Sequence, residues 1–161
     1  MIQIFITGGT FDKSYDSVNG QLYFKKTHLP EMLARSRCSL DVDIQTLMMK
    51  DSLEMSANDV KSVVEGCREC PSQLIVITHG TDTITQTAAA LAKADLGKTI
   101  VLTGAMIPYA FGSSSDGFFN LGCALAFVQT QKPGVYITMQ GQCFDWNQVK
   151  KDKEKGIFYN L

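Results

Sequence analysis

The sequence predicts a three-layer α/β fold, flavodoxin-like or Rossmann-like, in which helices cover both faces of a parallel sheet and a small β-hairpin flap is added. Short apolar runs alternate with helical segments, which is typical of strands joined by crossover helices. The run Leu74-Ile75-Val76-Ile77 is apolar throughout, as expected for a strand covered on both faces. Asn19-Gly20 lies between two strand-like segments and is a strong hairpin signal.

Five short runs are expected to form the sheet. The first is a compact run of β-branched and aromatic residues, and the second alternates between apolar and polar residues. In chain order, the predicted strands are Ile2–Ile6, Asp41–Leu47, Leu74–Thr78, Thr99–Thr103 and Val135–Met139. The flap follows the loop after the first strand, with Tyr15–Val18 and Gln21–Phe24 as its two arms.

Four segments between these strands are predicted to be helices. They are His28–Arg37, Ser56–Glu69, Ile84–Leu96 and Asp116–Thr130. Pro30 suits a first helical turn, and Ser56 with Asp59 three residues later forms a capping-box arrangement. Pro71 and Gly97 mark the ends of the second and third helices. Because crossovers between parallel strands are right-handed, the helices must lie on both faces of the sheet.

Length, charge and cysteine content exclude several classes of protein. The 161 residues, 45% of them hydrophobic, suffice for one core, and we expect a single domain over residues 1–161 without a C-terminal domain. The net charge of −1 argues against a nucleic-acid binder that relies on bulk positive charge. Neither a membrane-spanning run nor a secretory signal is apparent. An odd count of 5 cysteines favours free thiols and a cytoplasmic location, and with only 2 histidines no metal site is predicted.

The carboxyl ends of the predicted strands are the expected place for a ligand, because open α/β sheets bind their ligands there. Three of these ends are rich in glycine and hydroxyl residues: Thr7-Gly8-Gly9-Thr10, Thr78-His79-Gly80-Thr81-Asp82-Thr83 and Thr103-Gly104-Ala105-Met106. Glycine lets a backbone approach a ligand closely. Each segment alone could be an ordinary turn, but together they predict a site.

The motifs of several common sites are missing from the chain. There is no GxGxxG, no GxxxxGK[ST], no HExxH and no GxSxG, so dinucleotide binding, a phosphate loop, a zinc peptidase site and the α/β-hydrolase elbow lack support. Threonine, serine, aspartate and lysine remain as the candidate residue types. A threonine hydroxyl becomes a nucleophile when a base takes its proton, and a desolvated lysine amine can be that base.

Four segments resemble signatures of the bacterial-type L-asparaginases and occur in the family's order. They are Thr7-Gly8-Gly9-Thr10, His79-Gly80-Thr81-Asp82-Thr83 with Thr87-Ala88, the run Val101–Pro108, and Ser115-Asp116-Gly117 with Asn120-Leu121. The resemblance covers nearly the whole chain, but only the family's larger N-terminal domain. It implies hydrolysis of L-asparagine to L-aspartate and ammonia, without a cofactor.

The resemblance also implies catalytic roles for single residues. Thr10 corresponds to the nucleophile, and Thr81 to the second catalytic threonine. Lys151 corresponds to the lysine that activates Thr81, and Asp82 to the acid that contacts this lysine and the α-amino group of the substrate. Tyr15 lies where the family has a mobile-loop tyrosine.

Substrate-binding residues follow from the same resemblance. Ser52 corresponds to the residue that holds the α-carboxylate of the substrate, and Asp51, directly before it, is also expected to bind the substrate. The glycine-rich loops around Gly9 and Gly80 can offer N–H donors to an oxyanion, and Ala105 a backbone group to the substrate amide.

Several positions allow a second interpretation. Lys150 competes with Lys151, since either one could face the site, and Lys151 could instead be one more charge in a solvated run over Lys150–Lys155. His79 is expected to be a packed structural residue, and Asp82 could instead cap the helix after it. Leu53 departs from the family, many members of which have a polar residue there that helps bind the α-amino group, and the proposed substitute is Glu54 or an acid from another subunit.

Two other functions compete with that of an asparaginase. The chain could be a non-catalytic amino-acid-binding module of the same fold, or an amidohydrolase with glutamine or another amide as its substrate. The expected partner is a small molecule, L-asparagine, rather than a nucleic acid or a membrane. The apolar faces of two predicted helices, Ile84–Leu96 and the helix after Asp116, predict a homodimer or a higher homo-oligomer.

Overall fold

The computed structural model describes all residues, 1–161. The strands are β1 (Ile2–Gly8), β2 (Lys13–Asp16), β3 (Gln21–Phe24), β4 (Val42–Lys50), β5 (Leu74–Thr78), β6 (Thr99–Thr103), β7 (Gly134–Met139), β8 (Gln142–Asp145), β9 (Val149–Asp152) and β10 (Ile157–Asn160). The helices are α1 (Leu29–Arg35), α2 (Ala57–Glu69), α3 (Ile84–Lys93) and α4 (Gly117–Thr130). Short 3-10 turns cover Thr10–Asp12, Ser52–Glu54 and Tyr109–Ser114.

Six strands form the main sheet, in the order β4-β1-β5-β6-β7-β8. The predicted α/β class is confirmed, and β4, β1, β5, β6 and β7 are parallel to one another. A sixth strand, β8, lies outside the five predicted strands; it turns back and pairs with β7 in the antiparallel direction. The chain passes from β1 to β4 on one side and then to β5 on the other, which opens a crevice at the carboxyl ends of β1 and β5.

Helices cover both faces of this sheet, as predicted, and each face has its own core. Helices α1 and α4 pack on the face that includes Ile4, Val76 and Val101. Helices α2 and α3 pack on the face that includes Phe5 and Ile77. Successive strand residues point to opposite faces, so a strand buried on both faces is apolar at every position, as the run in β5 is.

The predicted capping box of α2 is present, while the turn of the flap differs from the prediction. The Ser56 hydroxyl accepts a hydrogen bond from the backbone of Asp59, whose carboxylate accepts one from the backbone of Ser56. In the flap, β2 and β3 pair so that Asp16 faces Gln21, which leaves a turn of four residues rather than of Asn19-Gly20 alone. The carboxylate of Asp16 accepts backbone N–H groups inside this turn and thereby stabilises the longer loop.

A second hairpin, β9–β10, differs from the expectation of a solvated charged run in this part of the chain. Val149 and Phe158 are buried in the core beside α2 and α3, and they hold the hairpin against it. The sulfur atoms of all five cysteines are free. No helix of the chain combines the length and the apolar character needed to cross a membrane.

Candidate active site

Four loops meet at the carboxyl ends of the strands through their glycines. A Cβ atom on Gly9 would lie 2.4 Å from the backbone nitrogen of Gly80, and one on Gly80 would lie 2.5 Å from the Ser52 hydroxyl. A Cβ atom on Gly104 would lie 2.5 Å from the carbonyl oxygen of His79. Real side chains cannot approach that closely, so the loops after β1, β4, β5 and β6 are in contact only because glycine occupies these positions.

Thr81, Asp82 and Lys151 form one hydrogen-bonded cluster. The Lys151 ammonium nitrogen lies 2.8 Å from Thr81 Oγ1 and 2.7 Å from Asp82 Oδ1. Thr81 is 6% exposed, and the Lys151 side chain 10%. Burial withdraws solvent from these contacts and therefore strengthens them. Asp82 does not cap α3, because the cap position is Thr83 and no side chain bonds there.

The strand β9 decides between the two candidate lysines. Side chains alternate along a strand, and the Val149 side chain points into the core. Lys151 therefore points inward, whereas Lys150 is exposed. Phe158, which pairs with Lys151 across the hairpin, is buried, and its backbone N–H donates to Gln140 Oε1 at 2.8 Å. The hairpin thus holds Lys151 firmly over the end of β5.

Thr10 begins the short turn that follows β1. Gly9, before it, has a φ of +73°, a left-handed conformation that glycine adopts without strain. Because the backbone of Gly9 touches that of Gly80, the next residues on the two loops, Thr10 and Thr81, lie on adjoining segments. Lys151 bonds to Thr81 and makes no hydrogen bond to Thr10.

Ser52 and Asp51 lie at the end of β4. Ser52 is 2% exposed, and its carbonyl oxygen accepts a hydrogen bond from the Thr83 hydroxyl at 3.1 Å. Asp51 Oδ1 accepts the backbone N–H of Leu53, while Oδ2 pairs with Lys13 Nζ at 2.5 Å. The contact with Lys13 lowers the pKa of the Asp51 carboxyl group below its usual value. The side chains of Leu53 and Glu54 are exposed at the surface beside this turn.

The loop that carries Ala105 is held by the fourth sequence block. The Asp116 carboxylate accepts the backbone N–H groups of Met106 at 3.0 Å and Ile107 at 2.9 Å. The Asn120 side-chain amide donates to the carbonyl oxygen of Gly104 at 2.9 Å. These bonds give the fourth block a bracing role, which its sequence did not reveal.

Neither His79 nor Tyr15 makes a side-chain hydrogen bond to Thr10 or to the cluster of Thr81 and Lys151. His79 Nδ1 lies 2.8 Å from the carbonyl oxygen of Gly80, and Nε2 lies 2.8 Å from Thr87 Oγ1. Burial lowers the pKa of His79, so the neutral imidazole bridges its own loop to α3. Tyr15 is 52% exposed and packs edge-on against Phe111, with no hydrogen bond to either threonine.

Asp12 is a buried carboxylate for which the sequence gives no signal. Its Oδ1 accepts the Thr27 hydroxyl at 3.0 Å and the backbone N–H of His28 at 2.9 Å, so it ties the turn of Thr10 to the segment after the flap. Its Oδ2 is buried without a partner, and burial raises the pKa of this carboxyl group. No local pattern indicates this role, because the two ends of the flap are 15 residues apart.

No group of three or more His, Cys, Asp or Glu side chains is placed to hold a metal ion. The close groups at the carboxyl ends are instead hydroxyls, two carboxylates with the ammonium group that pairs with each, and backbone N–H groups. Such a set can bind a small zwitterion and deliver a hydroxyl oxygen to a polar carbon.

Comparison with known proteins identifies similar sequences. Residues 1–157 match the model of the family described as "Asparaginase, N-terminal". The chain is 33% identical over 147 residues to L-asparaginase 1 of Escherichia coli K12, in an alignment that covers 86% of this chain and 43% of that protein. It is 32% identical over 155 residues to a Glutamyl-tRNA(Gln) amidotransferase subunit of Methanococcus vannielii, covering 89% of this chain and 35% of that protein.

Solved structures agree with these sequence matches. The thermostable L-asparaginase from Thermococcus kodakarensis has a TM-score of 0.81 and 26% identity, covering 99% of this chain and 51% of that chain. The probable cytoplasmic L-asparaginase from Campylobacter jejuni has a TM-score of 0.75 and 25% identity, with 99% and 51% covered. This chain therefore spans about half the length of these proteins, and less than half of the two curated relatives above.

Proposed function

We propose that this chain, which belongs to the asparaginase family and matches its N-terminal domain over residues 1–157, hydrolyses the side-chain amide of L-asparagine. The products are L-aspartate and ammonia. One observation carries the proposal: the Lys151 ammonium nitrogen contacts both Thr81 and Asp82, and the threonine and the lysine of this cluster are nearly buried. A module that only binds an amino acid needs no hydroxyl with a proton acceptor beside it.

The reaction has two steps in this proposal. The Thr10 oxygen attacks the amide carbon and forms an ester, the carbon–nitrogen bond breaks, and the hydroxyl proton leaves with the nitrogen as ammonia. Water then attacks the ester carbon and releases L-aspartate, while one of its protons returns to Thr10. Thr81 lies beside the same amide, and its contact with Lys151 provides the route by which protons pass to and from the reacting atoms.

Binding of the substrate divides between opposite charges. The α-amino group is held by Asp82 and the α-carboxylate by the turn of Ser52, whose hydroxyl faces Gly80. Backbone N–H groups of the loops around Gly9, Gly80 and Ala105 stabilise the oxyanion that forms on the attacked amide. No cofactor takes part in this chemistry.

Ammonia release from L-asparagine tests the proposal. We expect the wild type to release ammonia and Thr10→Ala to lose activity by at least about 10³-fold, with Thr10→Ser keeping more of it because a hydroxyl remains. Far-ultraviolet circular dichroism checks that the variants fold. A wild type that binds L-asparagine but releases no ammonia at any pH would instead favour the non-catalytic binding module.

A second candidate is an amidohydrolase that hands its ammonia to an acceptor or prefers another amide. The similarity to a Glutamyl-tRNA(Gln) amidotransferase subunit favours it, since that match extends over 155 residues. Equal efficiency with L-glutamine and L-asparagine would support this alternative.

We also propose a cytoplasmic location, which the five free cysteines favour. The expected homo-oligomer stays a prediction that light scattering can check.

A further inference from the structure

The first residue of the flap carries a charge that the proposed reaction does not use. Lys13 begins β2, and its ammonium nitrogen lies 2.5 Å from Asp51 Oδ2. The Lys13 side chain is 18% exposed and that of Asp51 is 30% exposed, so this ion pair is partly removed from water. Across the hairpin, the Phe24 ring lies 5.8 Å from the same nitrogen and helps to fix its position.

The location of Asp51 creates an electrostatic problem for the proposed substrate. Asp51 is adjacent to Ser52, at which the α-carboxylate is proposed to bind, and its pKa is lowered, so it is ionised at neutral pH. Two negative charges a few ångströms apart repel strongly when water is partly excluded. A bound amino acid therefore needs a cation beside Asp51.

Lys13 is the cation that contacts Asp51. Lys50, one residue before Asp51, points instead to Asp59 and lies 2.8 Å from its carboxylate. Lys151 is engaged with Asp82 at 2.7 Å. Neither of these lysines pairs with Asp51, so Lys13 is the residue that neutralises the Asp51 carboxylate.

We infer that Lys13 is a specificity-determining residue, which neutralises Asp51 and so allows the turn of Ser52 to accept a substrate with a free α-carboxylate. The inference rests on the proposed function, since it concerns the same site. It predicts discrimination between amides that carry this negative charge and amides that lack it. A lysine that merely ties the flap to β4 would affect both kinds of substrate alike.

The test compares ammonia release from L-asparagine and from its α-methyl ester, which lacks the negative charge of the α-carboxylate. In Lys13→Gln, we expect kcat/KM for L-asparagine to fall roughly tenfold relative to that for the ester, mainly through KM. In the double variant Lys13→Gln with Asp51→Asn, the ratio should return close to that of the wild type. Asparagine at position 51 keeps the oxygen that accepts the N–H of Leu53, so the turn stays intact.

Equal losses of kcat/KM for both substrates in Lys13→Gln, or no recovery in the double variant, would overturn the inference. Lys13 would then only connect the flap to the end of β4. The fold of the flap base has a separate support in Asp12, which bonds to Thr27 and His28, and circular dichroism verifies it. If the wild type releases no ammonia from either compound, the proposed function fails instead. The inference is then tested by calorimetric binding of L-aspartate, for which an unchanged Kd in Lys13→Gln contradicts it.

Discussion

Two hairpins of equal strand length adjoin the candidate site, and they are attached to the molecule in different ways. The hairpin β9–β10 buries Val149 and Phe158 in the core. The flap β2–β3 buries none of its residues from Lys13 to Phe24. Its attachments are the polar contacts of Asp12 and Lys13 at its base and the edge-on packing of Tyr15 against Phe111.

The two kinds of attachment predict that the two hairpins differ in how easily they open. The hairpin that carries Lys151 is fixed by apolar burial, which resists local opening. The flap, with exposed strands and polar attachments, can open at low cost in core contacts. In the proposed reaction, a proton acceptor requires the first kind of support, and an entrance for the substrate requires the second.

The largest effect on kcat is expected at Lys151, on the hairpin β9–β10. Lys151→Met should lower kcat by about 10³-fold or more, because Thr81 loses its proton acceptor while a side chain of similar length keeps the packing. Lys150→Met is the matched control on the same strand, and its exposed side chain predicts wild-type kcat. Similar losses in both variants would contradict the distinction between the two faces of β9.

The next largest effect concerns the stability of the same hairpin. Phe158→Ala should lower the free energy of unfolding by about 3–5 kcal/mol, because a nearly buried aromatic side chain leaves a cavity. Its neighbour Tyr159 is 40% exposed, and Tyr159→Ala should cost less than about 1 kcal/mol. Urea unfolding measures both, and a small effect of Phe158→Ala would mean that β9–β10 is not anchored by burial.

The smallest effect is expected at the polar base of the flap. Burial raises the pKa of Asp12 in the folded state, so its contribution to stability is greatest below its unfolded pKa and is lost as pH rises through the folded pKa. Asp12→Asn keeps the acceptor oxygen for Thr27 and His28 but carries no charge. Its stability relative to the wild type should therefore rise from about pH 4 to about pH 7 in urea unfolding. A difference that is constant with pH would show that Asp12 does not titrate as proposed.

Much of the fold could be predicted because its signals are local. The strand β5 is identified by an apolar run, and α2 by a capping box formed by Ser56 and Asp59, which are close in sequence. The contact between the loops of Gly9 and Gly80, which carry Thr10 and Thr81, follows from parallel topology, which brings strand ends to one edge.

The remainder depends on contacts that no local pattern encodes. The hairpin β9–β10 buries only Val149 and Phe158, and the charged run Lys150–Lys155 separates the short apolar segment Ile157-Phe158-Tyr159 from the other predicted strands. Asp12, Lys13 and Asp51 look like ordinary surface charges until the chain brings them to their partners. The resemblance places Tyr15 near the nucleophile, whereas its ring contacts Phe111.

A crystal structure of the wild type with L-aspartate, the proposed product, tests the central claim most directly. We expect the side-chain carboxylate of L-aspartate to lie within about 3.2 Å of both the Thr10 and the Thr81 hydroxyl oxygens, and its α-carboxylate to lie at Ser52. A ligand that contacts only one threonine, or that binds away from the ends of β1 and β5, would contradict it.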